Sequence, residues 1–429
     1  MDIKVINKPD LNEKIYYKKL DTGLDLYYIP KEGYSKQYAI FATDYGSVDN
    51  EFVPIGGDQA IEVPQGIAHF LEHKLFEEPE ENIFDKFSEL GASVNAFTGF
   101  NQTAYLFSST ENFYEALEAL VKFVQNPHFT DENVEKEKGI IAQEIKMYED
   151  DPGWRVFFNC LNAMYFDHPV KIDIAGTVES ISKISKEDLY TCYNTFYHPE
   201  NMVLFVVGDL DFEEIVKTVE DSQRRDYEKL GSIKRIFREE PSQVKTKIVE
   251  DNMMTANPIF YIGFKDLDLG HSAREEAKKE MVTNIVLDML FSSSSKFYNE
   301  LYDLGLVASN FGAYFSGKTS YGHSFVVGES DNPREVYTRI IDHLKQPVEE
   351  ILDIRDFERI RNDEIGNFLM SLDSVESIAN SGVESILGQF NFLDHLELLN
   401  EISFEDIKAR LSSHLREENS VISIVNPIK

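Results

Sequence analysis

Two histidines and a glutamate stand close together in the run His69-Phe70-Leu71-Glu72-His73. On an α-helix, residues four apart project from the same face, so both imidazoles can reach one metal ion. Glu72 follows His69 by three residues and also leans toward that face. A metal ion, a water molecule on it and a neighbouring carboxylate are the parts of a hydrolase that activates water. The order H-x-x-E-H is the inverse of the H-E-x-x-H motif of most zinc proteases.

The residues around the motif favour a buried helix. Residues 63–68 (VPQGIA) supply a turn and then a helix start with small side chains. Leu71, Leu75 and Phe76 can form an apolar stripe, so we expect a helix over about residues 65–77. The alternative is a pair of ordinary histidines on an amphipathic helix, and a third ligand would decide between the two.

Zinc held by two histidines needs another protein ligand, which is often a glutamate. The long charged stretch 131–150 predicts a helix, on which Glu137 and Glu144 are seven residues apart and face the same way. One of them can ligate the metal, and the other can hydrogen-bond a ligand. Spacing alone does not choose between these two and Glu135 or Glu149.

The composition is that of a globular protein with a large excess of negative charge. Of 429 residues, 42% are hydrophobic and 12% aromatic, which is enough for a sizeable core. The 76 acidic and 42 basic residues give a net charge of -34, which argues against nucleic acid or an anionic membrane as a partner. No stretch approaches the roughly 18 apolar residues of a membrane span. The chain has two cysteines and no apolar segment at its amino terminus, so we expect a cytoplasmic protein.

The order of predicted elements indicates an α+β fold with two similar α/β domains, each a mostly antiparallel sheet with helices packed on it. We assign residues 1–221 to a metal-binding domain, 222–247 to a basic linker, and 248–429 to a second domain without a metal site. The basic segment could instead dock an acidic partner. Strands are predicted at 24–30, 38–43, 94–107 (a hairpin), 202–207, 259–264, 309–315, 323–327 and 420–425, and helices at 83–90, 112–124, 131–150, 273–290 and 295–304.

Several stretches resemble one peptidase family over almost the whole chain. They are residues 66–76, the Glu137 and Glu144 pair, residues 168–209 and residues 300–307 (ELYDLGLV). The chain resembles the family of insulinase, pitrilysin and mitochondrial processing peptidase, and in particular its short bacterial processing-protease-like members. The resemblance implies a zinc-dependent endopeptidase that hydrolyses unstructured peptides.

The resemblance also implies a role for each site residue. His69, His73 and Glu144 would ligate one Zn²⁺ per chain. Glu72 would be the general base, and Glu137 would support catalysis from beside the ligands. Residues 94–98 would be an edge strand to which the substrate adds as an extra strand, with Asn95, Ala96 and Phe97 binding it.

The sequence departs from the family pattern in its second half. Complete members carry an arginine and a tyrosine there, and these positions correspond here to Tyr302 and Ala308, unless Tyr314 takes the tyrosine role. We therefore expect a heterodimer with a metal-free homologous subunit that supplies the missing groups; a homodimer is the alternative. Two rival functions remain. One is a non-catalytic structural or regulatory subunit, and the other is a mononuclear iron oxygenase, since two histidines and a carboxylate also form its metal triad.

Overall fold

The computed structural model describes residues 3–77, 82–227 and 231–428. The chain forms two compact units, and each takes segments from both halves of the sequence. The first unit comprises the described residues within 1–145, 173–236 and 369–393, and the second those within 146–172, 237–368 and 394–429. The division at residues 222–247 remains a prediction about domains. Within that segment, Lys234–Arg235 is a short strand in the first unit, and Glu240 accepts backbone N–H bonds in the second.

The bounds of the elements follow in chain order. The strands are β1 (Lys4–Lys8), β2 (Glu13–Lys19), β3 (Asp25–Pro30), β4 (Gln37–Thr43), β5 (Glu51–Val53), β6 (Ile61–Glu62), β7 (Ser93–Thr98), β8 (Thr103–Ser109), β9 (Met202–Gly208), β10 (Lys234–Arg235), β11 (Ile248–Met253), β12 (Ile259–Lys265), β13 (Gly312–Lys318), β14 (Tyr321–Glu329) and β15 (Ser420–Pro427). The α-helices are α1 (Ile67–Leu75), α2 (Ile83–Glu89), α3 (Phe113–Gln125), α4 (Asp131–Glu149), α5 (Pro152–Met164), α6 (Val178–Ile181), α7 (Lys186–Phe196), α8 (Phe212–Ser222), α9 (Ala273–Phe291), α10 (Lys296–Asp303), α11 (Pro333–Leu344), α12 (Val348–Ile351), α13 (Ile354–Ser371), α14 (Val375–Leu387), α15 (His395–Glu401) and α16 (Phe404–His414).

The first unit is built on a sheet that, among the described residues, has seven strands in the order β1-β2-β3-β9-β4-β8-β7. Only the β3–β9 pair is parallel among these pairings. Strand β9 is buried along its whole length because both faces of the sheet are covered. Leu204 and Val206 belong to the core under the helices, whereas Phe205 lies against Gly382 of α14 on the opposite face.

One core joins the helices of the first unit to this sheet. Buried side chains of α1, α2, α3, α4, α7 and α8 pack with those of β3, β4, β8 and β9 in a single cluster. The apolar spacing of these helices accounts for this, because it gives each of them a stripe of apolar side chains that packs into the core. On α1 the buried face includes Phe70, Leu71 and Leu75, which leaves His69 and His73 half-buried at its margin.

The second unit has its own sheet. Its described strands lie in the order β11-β15-β12-β14-β13, with only the β11–β15 pair parallel. Helix α5 packs on β12 and β15, and α9 packs on β13. The predicted α+β class and the mostly antiparallel sheets are thus confirmed. No helix in the described part of the chain is both long and apolar enough to cross a membrane.

The start of α1 is fixed by a glycine. Gly66 has a φ of +88°, a conformation that side chains other than hydrogen disfavour. A Cβ atom at Gly66 would lie 2.3 Å from the carbonyl oxygen of Ala175, so the two backbone segments approach too closely for any other residue. Ser180 Oγ also donates to the carbonyl oxygen of Gln65 at 2.8 Å. These contacts set the position from which His69 and His73 project.

We predict that Gly66→Ala destabilises the protein more than Gly33→Ala does. Gly33 has a φ of +80° but nothing within 4 Å of an added Cβ. It therefore isolates the cost of backbone strain, which is about 1–2 kcal/mol. Gly66→Ala carries a similar strain and a clash with backbone atoms. The measurement is the midpoint of urea unfolding for both variants, and equal midpoints would contradict the role of the Ala175 contact.

Candidate functional site

The histidines of α1 and the glutamate of α4 come together in the first unit. The rings of His69 and His73 are 4.5 Å apart between centroids, one turn above the other. Glu144 faces both of them, with its Oε1 3.7 Å from His69 Nε2 and its Oε2 3.4 Å from His73 Nε2. One ligand atom from each of the three residues lies within 4.8 Å of the other two.

The structure separates Glu144 from the other carboxylates of α4. Buried Ile141 and Ile145 hold this helix against the core, and Glu144 lies on the face that meets α1. Glu135 is 69% exposed and pairs with Lys138, and Glu149 is exposed near the end of the helix. Neither therefore belongs to the cluster of potential ligands that the described residues form.

Glu137 contacts the cluster from the side. Its Oε1 lies 3.1 Å from His73 Nδ1, and the residue is only 7% exposed. A proton on Nδ1 donates to this carboxylate and leaves the Nε2 lone pair directed at Glu144. Burial lowers the pKa of His73, but the hydrogen bond to Glu137 and the nearby carboxylates of Glu72 and Glu144 outweigh it and raise that pKa above its usual value.

His69 differs from His73 in its surroundings. Burial, assisted by the neighbouring His73, lowers the pKa of His69 to about 3, so its ring is neutral at neutral pH. A neutral imidazole is the form that ligates a metal. Its Nδ1 atom is buried and has no hydrogen-bond partner among the described residues. The Nε2 atom, which faces Glu144, is the one available to a metal.

These three residues fit a zinc ion. Ligand atoms bonded about 2.0–2.2 Å from a tetrahedral zinc lie about 3.3–3.6 Å from one another. The 3.4 Å and 3.7 Å separations between Glu144 and the two imidazoles are close to that range. Two nitrogens and a carboxylate are also a donor set that zinc accepts with a fourth position left open.

Glu72 lies beside this cluster and is 8% exposed. Burial raises its pKa, an effect opposed by a hydrogen bond from Thr98 and by His73 and reinforced by Glu144. The Thr98 hydroxyl donates to Glu72 Oε2 at 2.6 Å. Thr98 could not be singled out from the sequence. The two-residue alternation of its strand places it on the same face as Val94 and Ala96, but which helix covers that face is decided by tertiary packing.

The predicted substrate residues lie on β7, which is an edge strand of the seven-stranded sheet. Asn95 is exposed, Ala96 packs against the core, and Phe97 is half-buried. The Asn95 Oδ1 atom accepts the backbone N–H of Ala96 at 2.9 Å. That N–H therefore points away from β8, toward the open edge of the sheet. The roles of these three residues stay predictions.

The residues expected to depart from the family pattern lie in the second unit. Tyr302 is on α10 and 54% exposed, and Ala308 is in the segment between α10 and β13. Tyr314 is on β13, where burial and the neighbouring Tyr261 raise its pKa well above the usual range.

Comparison with known proteins gives two family matches along the chain. Residues 52–178 match "Insulinase (Peptidase family M16)", and residues 183–363 match "Peptidase M16 inactive domain". The chain is 42% identical over 426 residues to the uncharacterized zinc protease YmfH of Bacillus subtilis (strain 168), covering 99% of both chains.

Solved structures give the same assignment at the level of fold and family. A crystal structure named as an M16-like peptidase from Alicyclobacillus acidocaldarius is 40% identical, with a TM-score of 0.94 and coverage of 99% of this chain and 100% of the other. A protease from Helicobacter pylori is 17% identical with a TM-score of 0.82, covers 97% and 100% of the two chains, and so shares the fold. The identity to YmfH over nearly the full length, with both family matches, shows that the chain belongs to the insulinase family, peptidase family M16.

Proposed function

We propose that this protein is a zinc-dependent endopeptidase. The observation that carries the proposal is the meeting of His69, His73 and Glu144 within ligand distance of one another, with Glu72 beside them. The relatives named zinc proteases support the choice of metal and of reaction. An iron oxygenase would need the same three ligands but has no use for a buried carboxylate in the position of Glu72.

In this proposal each residue has one task. His69, His73 and Glu144 would hold the ion, and Glu137 would fix the tautomer and orientation of His73. Bound zinc supplies Lewis acidity, which polarises the scissile carbonyl and lowers the pKa of water. Glu72 would take a proton from the attacking water and return it to the leaving amine. Its burial suits this task because it raises the pKa of the carboxylate, which makes Glu72 a stronger proton acceptor.

The substrate would be an unstructured peptide that adds to β7 as an extra strand. The Ala96 N–H faces the open edge, and main-chain hydrogen bonds there would accept any extended sequence. Asn95 would hydrogen-bond the peptide near the scissile bond, with Ala96 and Phe97 contacting its neighbours. A folded protein cannot present an extended strand in this way, so flexible segments would be selected.

Full activity would need a metal-free homologous subunit. By the family resemblance, Tyr302 and Ala308 would stand where complete members carry arginine and tyrosine. Stabilising the charge that develops on the substrate is usually a large catalytic term. A heterodimer would supply these groups; a homodimer is the alternative. Buried, unpaired Cys160 and Cys192 support a reducing compartment, so we place the protein in the cytoplasm.

The same two positions favour a second candidate, a non-catalytic structural or regulatory subunit of a peptidase-like complex. Purification with co-purifying proteins, followed by assay of an unstructured peptide library with and without the partner, separates the two candidates. Hydrolysis that depends on zinc supports the peptidase. Absence of hydrolysis by the zinc-loaded chain, alone and with every partner it binds, supports the non-catalytic subunit.

We predict that Glu72→Gln keeps zinc and loses hydrolysis. The amide is nearly isosteric with the carboxylate but cannot take a proton, and general acid–base catalysis contributes about 100- to 10,000-fold to a rate. The measurement combines metal content by elemental analysis with the rate of cleavage of a quenched peptide. Cleavage at the wild-type rate would show that Glu72 is not the base.

We predict that His69→Ala loses bound zinc as well as activity. Removing one of three protein ligands leaves the ion with two, too few for a stable site. His128→Ala is the matched control, because this exposed histidine lies in the same unit outside the ligand cluster. Stoichiometric zinc in purified His69→Ala would contradict the ligand assignment.

We predict that Glu137→Gln weakens zinc binding about 10- to 100-fold, since it replaces the carboxylate that accepts from His73 Nδ1. Glu135→Gln removes the same charge from an exposed position of the same helix and should leave affinity unchanged. Competition with a chelator measures both variants. If both variants lost the same zinc affinity, the net negative charge of the helix, and not the contact with His73, would govern zinc binding.

A further inference from the structure

A threonine on the edge strand is bonded directly to the carboxylate beside the metal ligands. Thr98 is the last residue of β7, and its hydroxyl donates to Glu72 Oε2 at 2.6 Å. Within the described part of the chain, the structure gives this carboxylate no other hydrogen bond. The contact engages Oε2, and in the proposed function Oε1 would be the oxygen that takes the proton of the water.

The neighbours of Thr98 explain why its hydroxyl donates to Glu72. Its partner across the hairpin is Thr103 of β8, whose hydroxyl lies 3.5 Å away. The Thr103 hydroxyl has a single proton, and it donates to the carbonyl oxygen of Tyr45 at 2.9 Å. Thr98 therefore receives no short hydrogen bond from Thr103. Its own proton goes to the carboxylate, which is the stronger acceptor.

The fold explains why this hydroxyl reaches Glu72. Side chains alternate along β7, and the face that carries Val94, Ala96 and Thr98 is the one against which α1 packs. Thr98 is thus fixed by the β7–β8 hairpin, whereas Glu72 is fixed by α1. The hydrogen bond between Thr98 and Glu72 therefore connects β7 to α1 at the carboxylate itself.

We infer that Thr98 is a positioning residue through which β7 sets the orientation of the Glu72 carboxylate. This inference rests on the proposed function, in which Glu72 moves the proton and a peptide adds to β7. The strand that would receive the substrate then also holds the base, so both would be placed by one element. A hydroxyl is required for this task, and the size of the side chain alone does not suffice.

The opposing interpretation is that Thr98 only fills space at the end of the hairpin. Thr98→Val and Thr98→Ser separate the two. Valine keeps the shape and loses the hydroxyl, and serine keeps the hydroxyl and loses a methyl group. Thr98→Ala serves as a second hydroxyl-free variant if valine does not fold. Thr191→Val is the matched control, since Thr191 is a half-buried threonine in the same unit whose hydroxyl donates to the carbonyl oxygen of Glu187, four residues earlier.

We predict that Thr98→Val lowers kcat about 10- to 100-fold, the effect of a small misplacement of a catalytic group, with little change in KM. Zinc content and the unfolding midpoint should match those of the wild type. Thr98→Ser should restore most of kcat, and Thr191→Val should leave it unchanged. Crystal structures of the wild type and Thr98→Val give a readout independent of activity: we expect one ordered Glu72 carboxylate in the first and a rotated or split one in the second.

Two outcomes would overturn the inference while the proposed function stands. One is an active, zinc-dependent wild type with Thr98→Val at the same kcat. The other is a serine variant as impaired as the valine variant, which would point to packing. An inactive wild type in the presence of zinc and every partner it binds, with Glu72 held by Thr98 in its crystal structure, would instead reject the proposed function and, with it, the catalytic purpose assigned to Thr98.

Discussion

The candidate site depends on how closely α1 and α4 approach each other. Neither helix holds a metal alone, because α1 carries the two imidazoles and α4 the carboxylate. Their spacing is set by the core, where Phe70 and Leu71 of α1 and Ile141 and Ile145 of α4 belong to one buried cluster. Apolar packing between the two helices therefore holds the distances between the ligand atoms to within a few tenths of an ångström. Fully buried Lys74 adds a hydrogen bond between the two helices, since its Nζ atom donates to the carbonyl oxygen of Asn133 on α4 at 3.4 Å.

The charges gathered at this point favour a cation. Three carboxylates, those of Glu72, Glu137 and Glu144, surround two imidazoles, and two of the three are almost fully buried. Burial disfavours each charge, and like charges repel. A divalent ion is the simplest compensation for such a group. The two imidazoles differ in their partners and charge, since His73 Nδ1 is hydrogen-bonded to the Glu137 carboxylate whereas His69 stays neutral. Both rings direct Nε2 toward Glu144.

Much of this arrangement could be predicted from the sequence, because the spacing of apolar residues indicates which side chains are buried. The amphipathic spacing predicted α1, α3 and α4 closely, and the continuous apolar run 202–207 predicted a strand, which is buried along its whole length. Strands β1, β2 and β11 were missed. Their lysines and acidic residues give a weak strand pattern. The choice of Glu144 over Glu135 or Glu149 could not come from spacing, because it depends on which face of α4 the core turns toward α1.

Thr98 could not be predicted from the sequence for a related reason, and its position gives a reason for the proposed base, Glu72, to lie beside the edge strand. An edge strand that pairs with a peptide fixes the scissile bond along one direction only. The proposed base must then be positioned relative to the same strand. Otherwise the errors in the position of the scissile bond and in the position of the base would add. A direct hydrogen bond from the last residue of β7 to Glu72 meets that requirement with one contact. In this chain the strand that would receive a substrate would therefore also orient, through Thr98, the carboxylate that would act on it.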